Sequence, residues 1–211
     1  MAAYGFYECS SPSCRLRFPL DKGQYKGTFC LRCGGLLREI PSEVERKKVE
    51  SCPVVAVRQI LGILDNIRSA HNVGGIFRTA DGVGVTHLYL CGITPTPEDH
   101  PEIAKTGLGA EQAVPWSAHP NALAEAERLK EEGVFLIGLE RHPDATSIQT
   151  ISMANLKGRP VGLIVGHERA GVDPGLLAMC DEVISLPMVG RKASLNVSVA
   201  FGVAAYWLAF Q

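Results

Sequence analysis

Several things are missing from this 211-residue chain, and each absence narrows what it can be. No uninterrupted apolar run reaches the roughly 18 residues that cross a bilayer, so neither a membrane-spanning helix nor a membrane partner is expected. The start, Met1-Ala2-Ala3-Tyr4-Gly5, has neither the basic residues nor the apolar stretch of a secretory signal, and the expected location is the cytoplasm. An excess of one charge is missing too: 21 Lys and Arg face 22 Asp and Glu, for a formal net charge of −1. That excludes a polycation holding nucleic acid by bulk attraction. There is no G-x4-G-K-[ST] and no G-x-G-x-x-G after a strand, which argues against a nucleotide-dependent enzyme. No repeat at solenoid spacing and no low-complexity tract is found.

What remains, 46% hydrophobic and 20% charged residues, suits one good core with a small satellite module. Charge is unevenly placed. Residues 1–50 hold nine Lys or Arg against six acidic residues, which leans the front of the chain toward an anionic partner.

The seven cysteines are uneven as well: four fall within residues 9–33, and Cys52, Cys91 and Cys180 stand alone. The cluster reads Cys9-x4-Cys14 and, fifteen residues on, Cys30-x2-Cys33, two short pairs that would each grip one side of a tetrahedral Zn2+ ion. Gly34-Gly35 frees the backbone to turn beneath the metal. A module of this size buries too little core to fold alone, so a structural metal would supply the missing stability. The competing readings are an iron–sulfur site or four unliganded thiols. Arg15, Arg17, Phe18, Tyr25, Lys26 and Phe29, between or beside the pairs, suit RNA backbone and bases, or simply cover the small core. The lone cysteines read as small hydrophobes.

Residues 1–40 are thus expected to be a zinc ribbon, 41–52 a charged linker, and 53–211 an α/β domain with a mostly parallel sheet. Candidate strands are Ile60–Leu64, Thr86–Cys91, Val134–Leu139, Val161–Val165 and Glu182–Leu186. Candidate helices are Val73–Gly82, Asn121–Glu132, Pro174–Met179 and Leu195–Phe210, the last apolar nearly all round and so expected to pack on two faces.

Three loops of this domain carry more glycine and short polar residues than packing requires. Residues 65–80 run from a strand into a helix expected to open near Asn72, with Asn72 its cap and Gly74-Gly75 allowing close approach. Residues 165–172 follow an apolar strand and carry His167 and Glu168 at the end of a sheet where ligands bind. Here Glu168 can accept bonds from a ribose or an amine, while His167 is either structural or chemical. Residues 184–198 hold Arg191 and Lys192, candidates for a phosphate, before a helix expected to begin around Ser194.

Asn72-x5-Arg78, Gly166-x-Glu168-x2-Gly171, and Leu186-Pro187-Met188 through Ser194-Leu195-Asn196 stand in the order and spacing of three motifs of the SpoU/TrmH family. These are RNA ribose 2′-O-methyltransferases of the SPOUT class, and the chain resembles them over about residues 54–211. Lys105-Thr106-Gly107-Leu108-Gly109-Ala110-Glu111 looks like the family's variable connecting region. The resemblance implies a SPOUT-type α/β domain ending in a trefoil knot, against the general rarity of knots. It implies S-adenosylmethionine as cofactor, transfer RNA or ribosomal RNA as partner, and a homodimer through the knot region whose site uses both subunits. Carried over residue by residue, Asn72, Arg78, Glu168, Ser194 and Asn196 would be catalytic. Leu139, Gly166, Leu186, Met188, Ser194 and Leu195 would line the cofactor pocket. His167 departs from the small polar residue common there.

Attack of a 2′-hydroxyl on a methyl sulfonium needs in-line alignment and removal of a proton. A guanidinium is a poor base, so Arg78 is better read as holding the 2′-oxygen or a phosphate against developing negative charge. Two further readings compete: an RNA-binding factor that methylates nothing, and a base methyltransferase, against which the Asn72/Arg78 and Ser194/Asn196 pairs favour ribose.

Overall fold

The computed structural model describes residues 4–25, 27–41, 56–156 and 158–211. Lys26, Cys52 and nearly all of the expected linker lie outside the described residues. The chain divides into two compact units, residues 1–53 and 54–211.

The first unit is a three-stranded antiparallel sheet of β1 (Tyr4–Cys9), β2 (Arg17–Asp21) and β3 (Leu37–Ile40), with β1 in the middle. Its register sets Tyr7 opposite Phe18 and Glu8 between Arg17 and Arg38, so aromatic and opposite-charge pairs face each other across the strands. Two tight turns leave this sheet. In one, the amides of Cys14 and Arg15 both donate to the Ser11 carbonyl; in the other, the Gly34 amide donates to the Cys30 carbonyl at 2.9 Å. Gly34 sits at φ 73°, a left-handed conformation that glycine adopts without penalty.

The second unit is a seven-stranded parallel sheet covered on both faces. In chain order its elements are β4 (Ile60–Asp65), α1 (Ala70–Val83), β5 (His87–Cys91), α2 (Ile103–Gly107), α3 (Ala110–Ala113), β6 (Trp116–His119) and α4 (Ala122–Glu131). Then come β7 (Phe135–Leu139), β8 (Thr146–Ser147), β9 (Val161–Val165), α5 (Pro174–Met179), β10 (Glu182–Ser185) and α6 (Val197–Phe210). The strands lie in the order β6-β5-β4-β9-β7-β10-β8, and every pairing is parallel. The central strands β4 and β9 are buried along their whole length, which is why they read as continuous Ile, Leu and Val runs. Alternation sorts their side chains: Ile60, Leu64 and Leu163 join Phe201 in the core that includes α1 and α6, while Leu61, Ile63 and Ile164 join Ala126, Leu129 and Leu176 on the α4/α5 side. Removing Phe201 to alanine from so closed a place would cost about 3–5 kcal/mol.

The five expected strands are all present, and the structure adds β6 and β8 at the two edges. Three expectations need correction. Helix α1 begins at Ala70, not Val73, and its cap is Ser69, whose side chain accepts from the Asn72 amide. Asn72 is therefore one turn inside the helix, with its side chain released for other partners. Helix α6 begins at Val197 with Asn196 as its cap, its side chain accepting from the Ser198 amide, rather than around Ser194. Finally, α6 packs on one face only within this chain: Phe201, Ala204, Ala205 and Leu208 are buried, while Val199, Val203 and Tyr206 are exposed. Among the described residues no helix is long and apolar enough to cross a membrane.

Candidate active site

The sheet changes direction of growth between β4 and β9: the chain adds β5 and β6 on one side and β7 and β10 on the other. Open α/β sheets bind ligands at the carboxyl ends of strands beside such a switch point. The loops leaving β4, β9 and β10 there contain the three sequence motifs.

A line of hydrogen bonds joins these loops. Glu168, after β9, accepts from the amides of Arg68 (2.9 Å) and Ser69 (3.0 Å), after β4, and from the side-chain amide of Asn72 at 2.9 Å. The Asn72 carbonyl oxygen accepts in turn from Asn196 Nδ2 at 2.9 Å. Asn196 Oδ1 accepts from the amide and hydroxyl of Ser198 at 2.9 and 2.7 Å. Each carboxamide thus uses its oxygen toward one neighbour and its nitrogen toward the next, which fixes both orientations. Burial works against the charge on Glu168, but the Arg68, Asn72 and Ser69 donors outweigh it and hold the carboxyl below the usual carboxylate range. It stands as an ionised anchor, with three donors already on its oxygens.

Gly166 is required by its own loop. A Cβ there would lie 2.3 Å from the Gly171 carbonyl oxygen, where the loop doubles back and His167 bridges to Gly171. His167 Nδ1 accepts from the amides of Arg169 and Ala170, both at 3.1 Å, the task a short polar side chain performs in such a turn. Through Nδ1 it thus fixes its own turn. Gly74 is likewise explained by packing, since a Cβ would meet Thr106 Oγ1 at 2.2 Å and the Ile103 carbonyl at 2.3 Å. What approaches the start of α1 is therefore α2, and residues 103–113 form two short helices.

Of the other candidates, Leu139, Gly166 and Leu186 stand at or just past the ends of β7, β9 and β10, which are neighbours in the sheet. Leu195 and Met188 are exposed in the following loop. Ser194, also exposed, makes no hydrogen bond among the described residues. Arg78 is not brought to the network: it lies six residues beyond Asn72, about 9 Å farther along α1 and on another face. It is exposed, and its guanidinium has no hydrogen bond or ion pair among the described residues.

Four supporting groups escaped the sequence reading. The amides of Arg68 and Ser69 carry no signal in their side chains. Asp65, buried at the end of β4, accepts from the Asp173 amide at 3.2 Å and from Asn66 Nδ2 at 2.7 Å; burial pushes its carboxyl up. Glu140 accepts from the amides of Val172 (2.9 Å) and Arg141 (2.7 Å), bracing the far side of the Glu168 loop. A single acidic residue at the end of an apolar strand is the hint both positions offered.

In the first unit the four sulfurs of Cys9, Cys14, Cys30 and Cys33 all lie within 4.8 Å of one another. The Cys9–Cys33 and Cys14–Cys30 separations are 3.5 and 3.9 Å. A tetrahedron of thiolates about 2.3 Å from zinc has edges of about 3.8 Å, so the donor set fits that ion. Elsewhere burial pushes the Cys91 thiol up to about 12 and the Cys180 thiol up to about 11, leaving both protonated and inert.

These features define an α/β protein with a site built from three loops at a sheet switch point. Residues 59–206 match the model of the SpoU rRNA Methylase family, and the chain belongs to that family. It is 34% identical over 150 residues to the TrmH-family protein YacO of Bacillus subtilis (strain 168), covering 68% of this chain and 55% of YacO. It is 33% identical over 144 residues to the 23S rRNA (guanosine-2′-O-)-methyltransferase RlmB of Pectobacterium atrosepticum, covering 68% of this chain and 57% of that protein. Among solved structures, the AdoMet-bound rRNA methyltransferase of Sinorhizobium meliloti superposes with a TM-score of 0.64 at 26% identity, over 71% of this chain and 55% of that one. The chain thus spans little more than half the length of the curated relatives it matches, and the family match begins after the four-cysteine unit.

Proposed function

We propose that this protein transfers the methyl group of S-adenosylmethionine to a ribose 2′-hydroxyl in a structured RNA, transfer or ribosomal. The observation that carries the reading is the hydrogen-bonded line Glu168–Asn72–Asn196, which ties together the three loops matching the family's motifs. The relatives named for guanosine-2′-O-methylation of 23S rRNA support the reaction and the kind of substrate.

The cofactor seat lies at the adjoining ends of β7, β9 and β10, where Leu139, Leu186 and Leu195 offer apolar surface and the Gly166 and Met188 backbones offer polar groups. When bound, S-adenosylmethionine supplies an electrophilic methyl on a sulfonium. The chain's residues do the rest. Glu168 keeps Asn72 in place, Asn72 and Asn196 use their remaining N–H groups to orient the ribose, and Ser194 adds a hydroxyl. Arg78 stabilises negative charge developing on the 2′-oxygen, whose proton leaves to water.

Arg78 reaches this site from a second copy. The exposed stripe Val199, Val203 and Tyr206 of α6, beside Gly75 and Thr79 of α1, is a bare apolar face that a homodimer would bury, and Arg78 is the chain neighbour of Thr79. The trefoil knot belongs to the same proposal. It is supported by the return of α6 across β4, β7 and β9 to α1 after β10 has paired with β7 and β8. Zn2+ on Cys9, Cys14, Cys30 and Cys33 holds the first unit, whose exposed Phe29 and neighbouring basic residues contact RNA.

The test is incubation with radiolabelled S-adenosylmethionine and total RNA, followed by digestion to nucleosides. The reading expects label in a 2′-O-methyl nucleoside. Label in a base-methylated nucleoside, or cofactor binding with no transfer to any RNA, overturns it.

A further inference from the structure

One cleft of the second unit takes no part in this network. It opens beyond the ends of β5 and β6 and holds about 370 Å³, in the range of small-ligand sites. Ile93, Pro95 and Pro120 give it apolar walls, and Asp99, His100 and His119 a polar edge. The walls are preformed. The Ile93 amide donates to Asn66 Oδ1 at 3.2 Å, and the Thr94 hydroxyl, buried, lies 2.9 and 2.7 Å from the Leu64 and Cys91 carbonyls while accepting from the Ile67 amide. Ile93 nonetheless keeps 65% of its surface exposed, an aliphatic side chain held out with nothing on it.

The polar edge is selective. Thr96 donates to Asp99 Oδ2 at 2.9 Å, and among the described residues Oδ1 has no partner. His119 has both ring nitrogens engaged, Nδ1 with Glu125 at 3.2 Å and Nε2 with Ser117 at 2.8 Å, so it offers the cleft ring surface rather than a free base. A free carboxylate oxygen with apolar walls takes a flat ligand that donates N–H groups, and it repels phosphate.

The cleft is also close to the proposed site of transfer. The Ile67 amide donates to Thr94 at 3.0 Å, and the next amide, Arg68, donates to Glu168 at 2.9 Å. Adjacent amides are within about 3.8 Å, so the Thr94 hydroxyl and the Glu168 carboxylate lie within about 10 Å of each other, the scale of one nucleoside.

We propose that this cleft is a nucleobase pocket for the RNA substrate, selecting guanine. Guanine presents N1–H and an exocyclic amino group side by side for Asp99, with its ring against Ile93 and the prolines. The proposal rests on the methyltransferase reading for its substrate and on the cleft's own chemistry for its ligand.

The test uses the full chain with labelled Ile and Ala methyl groups, titrated with GMP and with UMP, which lacks an amino group. The Ile93 and Ala118 signals should move with GMP at concentrations at least tenfold below those needed for UMP. Asp99→Asn should weaken the GMP response about tenfold and leave S-adenosylmethionine affinity unchanged. Equal responses to the two nucleotides, or silent cleft signals in a protein that binds cofactor and methylates RNA, overturn the pocket and leave the methyltransferase standing. Cleft signals that respond to GMP in a protein binding no S-adenosylmethionine support the guanine site and sink the methyltransferase reading instead.

Discussion

The two units of this chain solve the same problem by opposite means. The second closes a parallel sheet under helices on both faces, so that β4, β9 and Phe201 vanish from solvent. The first has only three short strands, and Tyr4, Phe6, Phe29, Leu31 and Leu36 of the unit remain exposed, while the buried Cys9 and Cys30 belong to the thiol cluster. One unit is held by area removed from water; the other gathers four sulfurs within 4.8 Å of one another, and the zinc proposed there would hold it. A unit with few apolar contacts must draw its stability from ligand chemistry.

Breaking the metal site should have the largest effect. Structural zinc contributes about 10–16 kcal/mol in comparable small modules, so Cys30→Ser or a strong chelator should unfold the first unit outright. NMR of the full chain should then show the β1–β3 signals collapse while those of β4–β10 persist. A first unit that stays folded without metal removes the contrast. Phe201→Ala is the mirror experiment: about 3–5 kcal/mol lost in denaturant unfolding of the second unit, with the cysteine unit unchanged.

Within the second unit, Arg78→Ala should slow RNA methylation at least about 100-fold, roughly 2.7 kcal/mol of transition-state stabilisation, and leave calorimetric cofactor affinity within about twofold. Unchanged turnover would take Arg78 out of the chemistry. A smaller effect concerns pH. Because Glu168 is held below the usual carboxylate range, its anchoring of residues 68–72 is fully present above about pH 4.3 and is lost as pH falls through the lowered folded value. The protection of the Arg68 and Ser69 amides relative to intrinsic exchange should fall in that acid window, and Glu168→Gln should remove this change. Protection that stays constant through the window in the parent protein contradicts the assignment.

The strands that read most plainly from sequence are the fully buried ones. Ile60–Asp65 and Val161–Val165 are runs of Ile, Leu and Val because both faces are covered. Strands β6 and β8 lie at the sheet edges, half-exposed and only four and two residues long, too short for a period to show. Helices α2 and α3 span five and four residues and owe their place to packing on α1. The start of α1 is ambiguous in sequence because Ser69 and Asn72 are both good caps; Ser69 takes the cap, and Asn72 is free to bond Glu168, nearly a hundred residues away. The resemblance to the SpoU/TrmH motifs singled out Asn72, Arg78, Glu168, Ser194 and Asn196, and the structure brings Asn72, Glu168 and Asn196 into contact. The backbone amides that hold Glu168 leave no mark in the side chains of the sequence.

The central claim, a methylation site made from three loops of one copy and Arg78 of another, is tested by mixing two inactive variants, Arg78→Ala and Asn196→Ala. Subunit exchange should restore methylation of RNA, because each mixed dimer has one site with an intact Arg78 and an intact Asn196. If the mixture stays as inactive as its parts while mixed dimers are shown to form, the two residues serve the same site from the same copy, and the shared arrangement is wrong.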